Sequence, residues 1–190
     1  MAENSSLLLP ETRPETPVNF ASGIFALEYG FSPLKENQME TVIRRATKSD
    51  AASIADFQIA MAMETESKSL AANVVVPAVE SVFDSPTKGH YYVADIGGEV
   101  VGCLLITFEW SDWRNSNIWY IQSVFVAQPH RGKGIFKSLY QEVMHEAREN
   151  DVMYVRLYVE KENARAQKTY EALGMQQLPY LMYDVRVPQK

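Results

Sequence analysis

The residues with the clearest chemistry lie in Arg131-Gly132-Lys133-Gly134, where two glycines alternate with two cations. An apolar, β-rich run, Val124-Phe125-Val126, leads into them through the polar turn Ala127-Gln128-Pro129-His130. After them Ile135, Leu139 and Val143 recur on one helical face, while Glu142, Glu146 and Glu149 fall off it. The spacing therefore places the loop at a helix N-terminus. Backbone N–H groups there have no intrahelical partners and carry the positive end of the helix dipole. Gly132 and Gly134 allow close approach to the backbone, and Arg131 and Lys133 add full charges. Such a loop suits a pyrophosphate. It is neither a Walker A loop, which needs G-x-x-x-x-G-K-[ST], nor a dinucleotide loop, which needs G-x-G-x-x-G. His130 either touches phosphate or is a solvated turn residue.

A second constellation runs from Asn163 to Met175, with the sequence Asn-Ala-Arg-Ala-Gln-Lys-Thr-Tyr-Glu-Ala-Leu-Gly-Met. Asn163 suits an N-cap, Ala166, Tyr170 and Leu173 share a face, and Gly174 suits the left-handed C-terminal position. Arg131-Gly132-Lys133-Gly134-Ile135-Phe136 resembles the acyl-CoA-binding signature Q/R-x-x-G-x-G/A of the GNAT superfamily of N-acetyltransferases, except that Phe136 stands at the last fixed place. The 163–175 segment resembles that family's late helix, N-x-x-A-x-x-x-Y-x-x-x-G-[FM]. The resemblance extends from about Val42 to Val187.

That resemblance implies a mixed, mostly antiparallel central sheet, splayed at the acyl-CoA site and flanked by helices. It implies acetyl-CoA as co-substrate, with no metal, and attack by an amine in a ternary complex. Val124, Phe125 and Val126 would contact the pantetheine arm through main chain. Arg131, Gly132, Lys133, Gly134, Ile135 and Phe136 would hold the pyrophosphate, and Asn163 and Tyr170 the pantetheine end. The backbone N–H near Val126 would face the oxyanion, and Tyr170 would protonate the leaving thiolate. Many relatives carry a carboxylate on the strand before the loop, but Tyr120-Ile121-Gln122-Ser123 has none. Glu109 and Asp112 are the nearest base candidates, acting directly or through a water held by Gln122 and Ser123; a solvated hairpin end explains the two acids equally well. Trp110, Trp113 and Trp119 either wall a substrate pocket or pack in the core. Glu64 and Glu66 either attract a cationic acceptor or form an exposed helix end. Two function classes follow: an N-acetyltransferase acting on a small amine or a protein amino group, and a catalytically idle acyl-CoA-binding module of the same fold.

Composition agrees with a globular enzyme. The chain has 190 residues, 46% of them hydrophobic, enough for one domain with a sizeable core. A net charge of −6 argues against nonspecific nucleic-acid binding. No apolar run is long enough to span a bilayer, no secretory signal is visible, and Glu11 and Glu15 disfavour a transit peptide. The single Cys103 sits in an apolar run and reads as a buried structural thiol; together these features point to the cytoplasm. His90, His130 and His145 lack metal-ligand spacing. A homodimer is compatible with the chain.

The elements that must position these residues follow from periodicity. Residues 1–38 read as a largely unstructured extension, with one helical turn near Gly23 to Tyr29, and 39–190 as the domain. Val42 to Ala46 is expected as a strand. Ser49 is expected to cap a helix from Asp50 to Ala62 that turns Ile54, Phe57 and Met61 inward. A second helix spans Leu70 to Phe83. Strands 91–95 and 100–109 are expected to pair through a Gly97-Gly98 turn. A strand over 118–126, the loop, a helix over 133–149, a strand over 153–159, the 163–173 helix and a last strand from Tyr180 to Val187 complete a mixed α/β domain.

Overall fold

A computed structural model describes residues 40–188; the expected extension and its helical turn lie outside the described residues. Five strands form one sheet in chain order: β1 (Thr41–Arg45), β2 (His90–Ile96), β3 (Glu99–Ser111), β4 (Ser116–Val126) and β5 (Tyr154–Arg156). Neighbours are antiparallel except β4 and β5, which are parallel. A parallel pair needs a crossover. Here helix α3 (Ile135–Glu149) supplies it, joined by α1 (Ala51–Glu66), α2 (Ala72–Phe83) and α4 (Ala164–Ala172). The architecture is the mixed α/β, mostly antiparallel fold expected.

Each face of the sheet has its own core. On one, Tyr92, Leu104, Ile106, Trp119 and Ile121 meet Ile135, Leu139, Val143 and Ala147, which recur every four residues along α3. Burying each large aliphatic of that stripe contributes roughly 2 kcal/mol. On the other, Tyr91, Val93, Cys103 and Phe125 meet Ala51, Ile54 and Ala55 of α1 and Val75 and Val79 of α2. The β2–β3 connection is the two-residue turn expected, with φ of 63° at Gly97 and 91° at Gly98. Asp95 Oδ1 accepts from Gly98 N–H at 2.7 Å.

Three elements differ from expectation. Helix α1 is entered through a 3₁₀ turn, Lys48–Asp50, so Asp50 rather than Ser49 is its N-cap residue, and the Asp50 carboxylate accepts from Thr47 N–H at 2.7 Å to close a capping box on that turn. Arg44 fixes that acid with bonds of 2.8 and 3.0 Å and reaches Asp95 at 2.9 Å. The guanidinium holds both carboxyls below their ordinary range. Helix α1 also runs on to Glu66. Strand β5 keeps only Tyr154–Arg156 of the expected 153–159, because β4 turns away beyond Tyr120. The strand expected over Tyr180 to Val187 is irregular, and no strand partner lies beside it among the described residues.

Candidate active site

The site begins with an irregularity in β4. Cys103 stands opposite Phe125 and Leu105 opposite Gln122, so Ser123 and Val124 together face the single residue Leu104. That is a β-bulge, and Ser123 takes φ of 51° to form it. A bulge takes backbone groups out of the ladder and bends its strand. The bend explains why β5 pairs with Ile118–Tyr120 and then parts from β4. Across the gap the Tyr158 hydroxyl donates to Gln122 Oε1 at 2.7 Å.

The glycine-rich loop lies where the sequence placed it. Gly134, at φ of 83°, is the residue before the first turn of α3, and Gly132 takes φ of 75°. A Cβ on either would meet nothing within 4 Å, so the loop is open to a ligand and glycine is required by conformation rather than by crowding. Lys133 is exposed and makes no ion pair among the described residues. The side chains of Phe125 and Ile135 are buried in the core, which leaves only their main chain for a ligand. Arg131 is occupied. Its Nε donates to the Val126 carbonyl at 2.8 Å, its fork meets Glu64 Oε2 at 2.7 Å, and its guanidinium lies over the Phe125 ring. Glu64 is thus an anchor for the loop rather than a free acid, and Glu66 is paired with Lys68.

Helix α4 brings the second constellation to the same place. Asn163 Oδ1 accepts from Ala166 N–H at 3.1 Å and caps the helix as expected. Gly174, at φ of 88°, ends it. A cleft of ≈ 280 Å³ is lined by Val124, Phe136, Asn163, Ala166 and Tyr170, so the bulge, the first turn of α3 just after the loop and the late helix converge on one opening. The Phe136 ring does not fill the loop. It turns into the cleft wall and meets the Tyr170 ring edge-on at 5.7 Å. Burial pushes the Tyr170 phenol above its ordinary range, so the hydroxyl stays protonated at neutral pH.

Val126 is back in register with Gly102, and because Ala127 N–H donates to the Val101 carbonyl at 2.9 Å, the 102/126 pair is non-hydrogen-bonded and the Val126 N–H is turned away from β3. Several expectations need correction. Glu109 stands four residues along β3 from Leu105, the partner of Gln122, and Asp112 seven. At about 3.4 Å per residue those offsets are about 14 and about 24 Å. Glu109 faces Arg156 at 3.5 Å, and Asp112 accepts from Trp113 N–H in the exposed hairpin end. Among the described residues no carboxylate lines the cleft. Trp119 is core, whereas Trp110 and Trp113 are exposed at the hairpin end. The Gln122–Tyr158 bridge was missed. Tyr158 lies in the alternation after β5, but no local pattern says that β4 bends toward it.

Cys103 is fully buried, and burial pushes its thiol up to about 12, which removes it as a nucleophile. Among the described residues no group of three or more His, Cys, Asp or Glu could hold a metal ion, and no helix is long and apolar enough to cross a membrane. A larger cleft of ≈ 540 Å³ lies near the start of β4, lined by Arg45, His90, Phe108 and Trp119, and holds none of the expected site residues.

The acetyltransferase (GNAT) family profile matches residues 59–175. A thialysine N-epsilon-acetyltransferase of Bos taurus is 37% identical over a 97-residue alignment that covers 47% of this chain and 56% of that protein; the chain thus matches little more than half of that relative's length. A possible acetyltransferase from Clostridium difficile 630 is 40% identical with a TM-score of 0.74, over 78% of this chain and 99% of that one. A predicted acetyltransferase with acetyl-CoA from Clostridium acetobutylicum shares the fold at 15% identity and a TM-score of 0.63, over 76% of this chain and 96% of that one.

Proposed function

The chain belongs to the acetyltransferase (GNAT) family, and from that premise we propose that it moves an acetyl group from acetyl-CoA to a primary amine by direct attack in a ternary complex. The observation that carries this reading is the convergence of Val124 from the bulge, Phe136 from the helix turn that follows the open Gly132–Gly134 loop, and Tyr170 on one cleft. A ligand with pyrophosphate at one end and an amide-bearing arm at the other fits this arrangement. The start of α3 offers unpaired N–H groups and Lys133, and the splay between β4 and β5 offers unpaired strand edges.

Bound acetyl-CoA supplies an activated thioester. The rest of the work falls to this chain. Backbone N–H groups of the bulged strand, at Ser123–Val124 and Val126, donate to the acyl oxygen as charge develops on it. Tyr170 donates its phenolic proton to the departing sulfur. Phe136 holds the Tyr170 ring and excludes water from that side of the cleft. A lysine-like amine with a pKa near 10.4 must shed a proton before attack. With no carboxylate in the cleft, Gln122 and Tyr158 order a water that accepts it, and the proton leaves along the β4–β5 gap toward bulk solvent.

The thialysine enzyme points to an ω-amine on a lysine-like chain as the acceptor class. Saturation kinetics with lysine, S-(2-aminoethyl)cysteine and a lysine peptide test this. The free amino acids should outrun the peptide, and a strict preference for an N-terminal α-amine would reject the class.

A further inference from the structure

Helices α1 and α2 cover only part of their face of the sheet. Their core reaches Tyr91, Val93, Cys103 and Phe125. Toward β5 the same face is open. Val155 and Leu157 pack on the core beneath α3, so alternation turns Tyr154, Arg156 and Tyr158 to the open side. Gln122 shares that side, because the Tyr158 hydroxyl donates to its Oε1 at 2.7 Å. Val124 belongs instead with the core beneath α3, as does the cleft that holds Phe136 and Tyr170. The Ser123–Val124 bulge is therefore reached from two directions: from the cleft on one face and from this open surface on the other.

Arg156 is the group on the open surface with donors to spare. It stands opposite Tyr120 in the register. Its Nη1 meets Glu109 Oε1 at 3.5 Å, and both side chains reach solvent. A pair that long between exposed groups contributes little. Its Nε and Nη2 make no hydrogen bond among the described residues. The guanidinium is nonetheless held in place, 5.7 Å from the Tyr154 ring centroid. Arg114 lies over the same ring at 5.1 Å and makes no ion pair among the described residues. A planar, pre-positioned fork with two unused donors matches a carboxylate taken side-on.

The distance to the bulge sets the length of the ligand. Four residues of β4 separate Tyr120 from Val124, about 13 Å of strand. A hydrogen bond at the fork takes about 3 Å of that, and an amine poised for attack about 3 Å more. Roughly 7 Å remains. An extended chain advances about 3.5 Å over three bonds, so that span is about six bonds. Six bonds join the carboxylate carbon of lysine to its ω-nitrogen.

We propose that Arg156 anchors the carboxylate of a free amino-acid acceptor, with Arg114 adding charge beside it, and thereby selects a lysine-length ω-amine over a diamine. The assignment rests on the acetyl transfer proposed above for its readout by rate. The carboxylate end lies at Arg156, the aliphatic chain runs past Tyr120 and Tyr158, and the amine arrives beside the Gln122–Tyr158 bridge.

The test uses the full-length protein with lysine, lysinamide and 1,5-diaminopentane; the last two carry the same ω-amine without the carboxylate. Wild type should favour lysine over both in kcat/KM by at least about tenfold. In Arg156→Gln that ratio should collapse toward one through KM. Arg156→Lys, which keeps the charge and loses the fork, should hold an intermediate ratio, and Arg114→Gln should lower it by about two- to fivefold. A ratio unchanged in Arg156→Gln, or an equal loss for lysine and lysinamide, overturns the anchor and leaves acetyl transfer in place. Calorimetry of lysine onto the CoA-saturated protein, where no acetyl group is present to transfer, reads the anchor without the chemistry. Lysine should bind, and Arg156→Gln should weaken it at least about tenfold. If no amine is acetylated but this Arg156-dependent binding is found, the transfer reading falls and the anchor stands. No lysine binding at about 10 mM, well above a millimolar Kd, overturns the anchor.

Discussion

Replacing Tyr170 by Phe removes one oxygen and leaves the ring. The ring is held edge-on by Phe136, and the hydroxyl makes no hydrogen bond among the described residues. Folding should therefore change by less than about 1 kcal/mol, since no bond is broken and no partner is orphaned. The catalytic effect follows from proton affinities. Burial raises the phenol above its ordinary value near 10, while a free thiol ionises near 8.5. Transfer to the leaving sulfur is thus uphill for the isolated pair, which sets the contribution at the low end of general-acid effects. We expect a kcat loss of about 10- to 10²-fold, equivalent to about 1.4–2.7 kcal/mol. Acetyl-CoA affinity should stay within about twofold of wild type, a margin of ~0.4 kcal/mol. The assay is steady-state thiol release with saturating amine, paired with calorimetry for acetyl-CoA. The pH profile gives an independent reading: no falling limb belongs to Tyr170 below about pH 10, because its raised value keeps the donor protonated. Wild-type kcat in a folded Tyr170→Phe protein would refute the assignment, and a loss confined to affinity would make Tyr170 a binding residue only.

Three further outcomes follow. Gly134→Ala strains φ of 83° by about 1 kcal/mol without clash and should lower Tm only slightly, whereas Gly134→Glu should weaken acetyl-CoA binding at least tenfold in calorimetry, an effect of ~1.4 kcal/mol or more, by adding like charge at the pyrophosphate site. Glu64→Gln releases Arg131 from a half-exposed pair and should tighten acetyl-CoA by no more than about fivefold, ~1 kcal/mol; weaker binding would mean that Glu64 pre-orients the arginine. His90 is held by burial, then by Arg45, down to about 4, so the unfolded chain takes up its proton first as pH falls. Stability should be fully present above pH ~6.5 and fall between ~6.5 and ~4, a slope that His90→Phe should flatten in urea melts. An unchanged slope would place the effect elsewhere.

What was legible in the sequence was what is local. The helical face of Ile135, Leu139 and Val143, the Gly97-Gly98 turn and the Asn163 cap each depend on neighbours within a few residues, and each stands as read. The bulge depends on register between strands. No residue type at Ser123 demands a left-handed φ, so the bulge itself was not legible. The base candidates failed for the same reason. Glu109 and Asp112 are close to β4 along the chain but run away from the cleft along β3. Arg131 read correctly as a cation beside the loop, while its partner Glu64 is 67 residues distant and could be found only in three dimensions. The alternation of 180–187 predicts a strand, but alternation alone supplies no pairing edge, and the segment is irregular.

The central claim is acetyl transfer from acetyl-CoA to an amine at the bulge–loop–Tyr170 cleft. The measurement that tests it most directly is thiol release from acetyl-CoA by the purified full-length protein against a panel of polyamines, amino acids, aminoglycosides and lysine peptides, with mass spectrometry of each acceptor. The account predicts amine-dependent thiol release with at least one acceptor gaining 42 Da, the mass of an acetyl group replacing a hydrogen (about 10³-fold or more above the uncatalysed rate), and loss of that release in Gly134→Glu. Tight acetyl-CoA binding with no release above background for any amine in the panel would contradict it and leave a binding module in its place.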